Sequence, residues 1–146
     1  HIESYLKIQQ FRYQDTLAYN IDIDKALYNF TIPKLLLQPL VENALVHGIR
    51  GKRGKGTISV TGRLEGDNIV FRLTDDGVGM DEEKLYNLRK ASVDGSTQSA
   101  NIAAFGVGNV NERIHIYYGE NYGLFFKSQP DVGTTARVVI PTRNVS

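Results

Sequence analysis

Hydrophobic residues recur along the first third of the chain with two different periods. The opening segment carries Ile2, Tyr5, Leu6 and Gln9 on one face at helical spacing, and the following stretch LAYNIDID alternates as a strand does. Further on, positions 37, 40, 41, 44 and 45 repeat the helical period in apolar residues. These patterns predict a helix, a strand and a second helix that begins near Thr31 or Pro33 and ends near Gly48.

The rest of the chain predicts two hairpins with helices between them. GTISVTGRL and NIVFRLTD, joined by EGDN, form the first hairpin, and GLFFKSQ and TTARVVIP form the second across PDVG. DEEKLYNLRK and VNERIHIYY predict helices, and the polar run ASVDGSTQSAN between them predicts a mobile loop. The expected fold class is α+β: a two-layer α/β sandwich with a mixed, mostly antiparallel sheet and helices on one face.

Composition narrows the function classes. The 146 residues suit one domain, and 41% hydrophobic with 23% charged residues is typical of a globular protein. A net charge of +1 gives no reason to expect nucleic acid as a partner. The absence of cysteine excludes disulfides and thiolate chemistry, and it suits a reducing compartment.

The stretch LTDDGVGM contains the first candidate site. Strand alternation places Asp75 on the core-facing side with Leu73, and it places Asp76 on the opposite side. A buried carboxylate is costly unless hydrogen bonds are donated to it, and Gly77 and Gly79 allow close approach of another group. We therefore expect a ligand that donates a hydrogen bond to Asp75 over a glycine floor. The alternative is a strand that ends in a turn, with both aspartates capping backbone amides.

The second predicted helix contains another candidate site. Asn43 and His47 lie one turn apart on one flank of its apolar stripe. The Asn43 amide offers a neutral oxygen of the kind that Mg²⁺ accepts beside waters and phosphates. The alternatives are a boundary asparagine satisfied within the fold and a histidine that hydrogen-bonds the last carbonyls beside Gly48.

Several segments together resemble one superfamily. In chain order they are IPKLLLQPLVENALVHGI, DDGVGM, GVGNVNERI, YYGENYGL, and GTT before a strand that ends at Pro141. The chain resembles the ATP-binding domain shared by gyrase, heat-shock chaperones, histidine kinases and MutL, and within that group the sensor histidine kinases of the LytS/YesM type. The resemblance implies a Bergerat-type ATP-binding fold for residues 19–146. It implies that residues 1–18 end a helix leading from a dimerisation and phosphoacceptor region absent from this chain.

The resemblance also implies roles for individual residues. Asn43 matches the magnesium-binding asparagine, and Asp75 matches the aspartate that accepts a hydrogen bond from the adenine amino group. Thr134 matches the threonine that reaches the adenine pocket, and Gly106 matches a glycine whose amide faces phosphate at a helix N-terminus. The remaining residues implied in ATP binding are His47, Gly48, Gly77, Gly79 and Met80. Residues 80–105 resemble the ATP lid.

The chain departs from the family pattern at three places. Pro39 stands where hydrolytic members carry a water-activating glutamate, which favours phosphoryl transfer over hydrolysis. Val46 stands where many relatives have a basic residue, so phosphate contacts are expected from Arg50, Lys52, Arg53 or Lys55. The second glycine box reads either as residues 106–108 or as residues 104–106, and both registers include Gly106.

The expected function is that of the catalytic domain of a sensor histidine kinase. It would bind ATP and Mg²⁺ and transfer the γ-phosphate to a histidine on an upstream domain of the same or a partner protomer, from which a response regulator takes it. Neither His47 nor His115 resembles that acceptor, so this chain alone is expected to bind ATP without phosphorylating itself. The expected parent is a homodimeric, membrane-anchored bacterial sensor with this domain in the cytoplasm.

Two alternatives remain at this point. One is an ATPase or serine kinase of the same superfamily. The other is a non-enzymatic nucleotide-binding or interaction module that uses the basic run IRGKRGKG.

Overall fold

The computed structural model of the chain describes residues 2–13, 16–30, 36–49, 52, 54–94 and 102–142. The helices are α1 (Ile2–Tyr13), α2 (Gln38–Asn43), α3 (Glu82–Asp94) and α4 (Ile102–Tyr118). The strands are β1 (Leu17–Ile23), β2 (Gly56–Glu65), β3 (Asn68–Asp75), β4 (Gly123–Gln129) and β5 (Gly133–Pro141). A short 3₁₀ helix (Lys25–Asn29) follows β1, and α2 continues as a π-helical segment (Ala44–Ile49).

The strands form one mixed sheet in the order β1-β2-β3-β5-β4. β1 and β2 run parallel, whereas the other neighbouring pairs are antiparallel. Both predicted hairpins are present, and their turns use positive φ at Gly66 (62°) and Asp131 (63°). The predicted fold class, an α+β sandwich with a mixed, mostly antiparallel sheet, is confirmed.

Helices cover the inner face of the sheet and form a single core with it. Leu6 of α1, Val41 of α2 and Ile114 of α4 are each fully buried. They belong to one hydrophobic cluster with inward-facing strand residues such as Ile58 and Val138. None of the helices in the described ranges is long and apolar enough to cross a membrane.

Helix side chains bond to the backbone of both edge strands. On β4, the amide of Leu124 donates to Oδ1 of Asn111 (3.0 Å), and Nη2 of Arg89 donates to the carbonyl of Phe126 (2.7 Å). On β1, Nε2 of Gln10 donates to the carbonyl of Leu17 (3.2 Å). These backbone groups face away from the sheet, so the side chains satisfy groups that no neighbouring strand reaches.

Two helices begin later or end earlier than predicted. Helix α2 begins at Gln38, because Leu36 and Leu37 lie in a bend and Pro39, which lacks an N–H, suits the first turn. The proposed start at Thr31 or Pro33 lies outside the described residues. Helix α1 ends at Tyr13 and Leu17 begins β1, so the leading segment 1–18 already includes two sheet residues.

The two helices around the predicted loop are longer than predicted. Helix α3 runs on to Asp94, so the first four residues of the polar run 91–101 are helical. Helix α4 begins at Ile102, eight residues before Val110, because Ala103 and Ala104 are strong helix formers. The rest of the predicted mobile loop, residues 95–101, lies outside the described residues.

Candidate functional site

At one end of the sheet, three adjacent strands carry a row of polar, inward-facing residues. Asp75 of β3 pairs directly with Thr134 of β5, and Thr134 pairs with Ser128 of β4. The side of the sheet that strand parity predicts for Asp75 and Thr134 is confirmed, since they are only 4% and 9% exposed. The next row into the sheet is apolar and consists of Leu73, Ala136 and Phe126. The polar row therefore marks a distinct end of an otherwise hydrophobic face.

The Asp75 carboxylate is buried without an ion-pair partner among the described residues. The amide of Gly77 donates to its Oδ1 (2.9 Å). Burial raises the pKa of Asp75 to about 6, although the backbone N–H groups of Gly77 and Thr134 oppose the rise. Near neutral pH the group is an ionised acceptor with fewer hydrogen-bond donors than it would have in water, and a donor on a bound ligand would compensate for its burial.

Close packing of glycines brings the end of the α2 segment onto the end of β3. A Cβ on Gly48 would lie 2.5 Å from Oδ1 of Asp75, and a side chain on Gly77 would overlap the Gly48 carbonyl carbon. The amide of Val78 donates to the carbonyl of Gly48 (3.2 Å). Gly79 has φ of 68°, and a side chain there would overlap the carbonyl of Gln129. Gly48 and Gly77, both predicted site residues, thus lie directly against Asp75, and Gly79, also predicted, packs the following loop against the end of β4.

Ser128 joins the polar row to Met80. Its Oγ accepts from the amide of Met80 (2.8 Å), donates to the carbonyl of Gly133 (3.0 Å) and lies 2.7 Å from Oγ1 of Thr134. The sequence prediction named Met80 and Thr134 but missed Ser128. The missed signal was strand parity, because Ser128 continues the inward row of Leu124 and Phe126 as Asp75 continues that of Leu73.

A pocket of about 470 Å³ opens beside this row, within the usual range for small-molecule sites. Asp75, Ser128 and Thr134 line it. Leu85 and Arg89 of α3 and Lys127 of β4 line it too. Two cations and a buried carboxylate thus border one cavity.

Asn43 is the last residue of α2 and stands before His47 and Gly48 in the same helical segment. It is 7% exposed, and its side chain has no hydrogen bond to any residue in the described part of the chain. A buried amide oxygen without a partner fits a hard cation such as Mg²⁺. The described residues contain no cluster of three His, Asp or Glu able to hold a metal, so Mg²⁺ here would also need phosphate and water ligands. His47 is half-buried.

The glycine expected at a helix N-terminus lies elsewhere. Gly106 is the fifth residue of α4, because the apolar residues 102–105 extend the helix in front of it. Its amide therefore lies within the helix and not among the free N–H groups of the first turn. The expected position of Gly106 at a helix N-terminus is wrong, and its contact with phosphate stays a prediction.

The basic residues that were expected to contact phosphate lie in different surroundings. Lys52 forms an ion pair with Asp76 (3.2 Å between Nζ and Oδ2), Lys55 is exposed, and Arg50 and Arg53 lie outside the described residues. His115 lies on α4 and borders a different cavity, with Asn111 and Tyr122.

The fold and the polar row define an α/β sandwich with a ligand pocket at one end of its sheet. Residues 31–144 match the family described as "Histidine kinase-, DNA gyrase B-, and HSP90-like ATPase", and the chain belongs to this family. This membership confirms the superfamily predicted from the sequence.

Similar proteins include several sensor kinases. The sensor histidine kinase YesM of Bacillus subtilis is 32% identical over 98% of this chain and 23% of its own length. The sensor histidine kinase YpdA of Escherichia coli is 34% identical over 97% of this chain and 23% of its own. The sensor protein LytS of Staphylococcus haemolyticus is 30% identical over 99% and 24%, respectively. The predicted resemblance to the LytS/YesM type is confirmed, and the chain spans about a quarter of these relatives.

Solved structures agree on the fold. The catalytic domain of histidine kinase ThkA superposes with a TM-score of 0.69 at 13% identity, over 97% of this chain and 89% of that one. The histidine kinase domain of a blue-light activated kinase from Erythrobacter litoralis gives 0.64 at 17% identity, over 93% and 56%.

Proposed function

We propose that this chain is the ATP-binding catalytic domain of a sensor histidine kinase and that Asp75 is its adenine acceptor. The observation that carries the proposal is the buried Asp75 carboxylate, which borders the pocket and has only backbone donors among the described residues. The chain belongs to a family whose members bind ATP, and its pocket presents a buried hydrogen-bond acceptor. Together these two observations favour recognition of the adenine amino group.

Base selection follows from the chemistry of the acceptor. Adenine presents an amino donor where guanine presents a carbonyl oxygen, and an ionised carboxylate would repel that oxygen. Thr134, the direct cross-strand neighbour of Asp75, is near enough to contact the same edge of the base or a water bound to it.

Phosphoryl transfer would depend on positioning and charge neutralisation. Asn43 would hold a Mg²⁺ ion, and that ion would supply positive charge to offset the charge of the phosphates. Pro39 has no group that could activate water, and this favours transfer to a protein histidine over hydrolysis. The role of Asn43 rests on the resemblance and on the burial of its side chain, which has no hydrogen bond to the residues that the structure describes. The role of Pro39 rests on the resemblance alone.

The wider system is proposed from the relatives, two of which are named sensor histidine kinases. The phosphate would pass to a histidine on an upstream dimerisation domain and then to an aspartate of a response regulator. We propose that the parent is a membrane-anchored homodimer in which this domain faces the cytoplasm.

Titration calorimetry with ATP and Mg²⁺ tests the proposal. Asp75→Asn should weaken ATP binding by about 100-fold or more, because a charge-assisted acceptor becomes an amide with a donor facing the base. Asp76→Asn is the matched control, since it alters the adjacent carboxylate on the other side of the strand, and it should change affinity less than about threefold. Equal affinities of the wild type and Asp75→Asn would exclude Asp75 as the adenine acceptor.

A further inference from the structure

Ser128 has three polar neighbours and one proton. Met80 N lies 2.8 Å from its Oγ, the Gly133 carbonyl 3.0 Å, and Oγ1 of Thr134 2.7 Å. A serine hydroxyl provides one donor and two acceptor sites, so three neighbours saturate it.

The partners determine which way each proton points. The Gly133 carbonyl can only accept, so the Ser128 proton is directed there. The Met80 amide can only donate, so it occupies one acceptor site of the serine. The remaining acceptor site faces Thr134, and the 2.7 Å contact is a hydrogen bond when the Thr134 hydroxyl donates its proton to Ser128.

This arrangement leaves Thr134 without a proton for the pocket. Its Oγ1 presents only lone pairs there, beside the acceptor oxygens of Asp75, its cross-strand partner. We infer that Ser128 is a positioning residue that fixes Thr134 as a hydrogen-bond acceptor, so that two neighbouring acceptors select an amino group on the bound base. The inference rests on the proposed function and adds a specificity determinant to it.

Removal of the Ser128 hydroxyl would leave the Thr134 hydroxyl without the acceptor to which it donates. The threonine could then rotate and donate to a base that carries a carbonyl oxygen in place of the amino group. Asp75 would still repel that oxygen, so the change should appear as weaker discrimination rather than as lost binding.

The test compares ATP with inosine triphosphate, whose base carries a carbonyl oxygen in place of the amino group and an N–H in place of the adjacent ring nitrogen N1. The readout is therefore the change of the affinity ratio between variants and not the ratio of the wild type itself. Ser128→Ala should lower the ratio of ATP affinity to inosine triphosphate affinity by about tenfold, the effect of one hydrogen bond that changes from repulsive to favourable. Ser128→Thr, which keeps the hydroxyl, should retain the wild-type ratio. Ser59→Ala removes a serine hydroxyl from the outer face of β2 and should leave the ratio unchanged.

A second variant tests the proton direction independently of the folding of Ser128→Ala. Thr134→Val removes the proposed acceptor and should also lower the ATP to inosine triphosphate ratio. If Thr134 instead donates into the pocket, the same variant would raise that ratio, because the oxygen-bearing base would lose its donor.

The outcomes separate this inference from the proposed function. If ATP binding depends on Asp75 but the affinity ratio is unchanged in Ser128→Ala or raised in Thr134→Val, the role of Ser128 is refuted and the proposed function stands. If the wild-type protein binds neither nucleotide, or if Asp75→Asn binds ATP as tightly as the wild type, the proposed function and the role of Ser128 are both refuted.

Discussion

Asp75 and Asp76 are adjacent in sequence, yet the two faces of the sheet give them opposite properties. On the inner face Asp75 is 4% exposed, is packed beneath Gly48 and has a pKa raised to about 6. Toward the outer face Asp76 has a side chain 48% exposed, and it accepts from the amide of Thr57 (2.7 Å) and pairs with Lys52. The first aspartate costs stability and is available to a ligand, whereas the second stabilises the strand end and has its partners within the protein.

The largest effect is expected from the glycine packing on the inner side. Gly77→Ala should destabilise the domain by about 3 kcal/mol or more, because the new methyl group would overlap the Gly48 backbone, which cannot rotate away. Urea denaturation measures the loss. Gly66→Ala is the control: its φ is 62° but nothing lies within 4 Å of the added Cβ, so it should cost only about 1 kcal/mol. Equal losses would mean that Gly77 is not closely packed against Gly48.

The next effect is a gain in stability that depends on pH. Because the folded-state pKa of Asp75 is about 6 and its ordinary value is 3.8, the native state holds this proton more tightly than the unfolded state. The stability that Asp75 contributes is therefore present below about pH 4 and is lost as pH rises through about 6. Above that pH, nucleotide-free Asp75→Asn should be more stable than wild type by roughly 2 kcal/mol.

Denaturation of both proteins at several pH values measures that gain. The difference between Asp75→Asn and wild type should grow between about pH 4 and pH 6 and then level off. A difference that does not change with pH would show that burial does not perturb this carboxylate.

A smaller loss is expected on the outer side. Asp76→Ala leaves the Thr57 amide without its side-chain acceptor and removes the Lys52 ion pair, which should cost about 1 kcal/mol. Asp76→Asn keeps an acceptor for Thr57 and should cost less in the same urea experiment. If the alanine variant is as stable as wild type, Asp76 does not hold β2 and β3 together.

The smallest effect is expected from Lys52, which pairs with Asp76 on the outer face and influences the pKa of Asp75 on the inner face. Lys52→Met should change stability by less than about 0.5 kcal/mol, because the Lys52 and Asp76 side chains are 29% and 48% exposed. The charge of Lys52 also lowers the pKa of Asp75, so the variant should raise that pKa further. Carbon NMR of the Asp75 carboxyl group during a pH titration measures the change. A lowered pKa would contradict the charge coupling.

Local patterns in the sequence predicted the sheet and part of the site. Alternation alone placed Asp75 and Thr134 on the inner face, and the bounds of β3 and β4 agree with the predicted NIVFRLTD and GLFFKSQ segments. Ser128 was open to the same parity argument, but a serine near a turn is common and its three partners become visible only in three dimensions.

Other features depend on tertiary contacts that no local pattern reports. The start of α4 was misplaced because the helical pattern was read only from Val110 onward, whereas helix formers at residues 103 and 104 extend the helix toward its N-terminus. The ion pair between Lys52 and Asp76 joins two residues that lie outside the helices and strands and are 24 positions apart in the sequence, so no local pattern reveals it. The close approach of Gly48 to Gly77 likewise needs the packing of helix on sheet.

The side chains that bond to the edge strands have a consequence for the protein's behaviour in a crowded solution. An open strand edge is a template for pairing with another chain and for aggregation. Asn111 and Arg89 occupy the outward amide of Leu124 and the outward carbonyl of Phe126, the groups that an incoming strand would use first. Extension of the sheet through β4 by a neighbouring copy of this domain would therefore require these two bonds to break first.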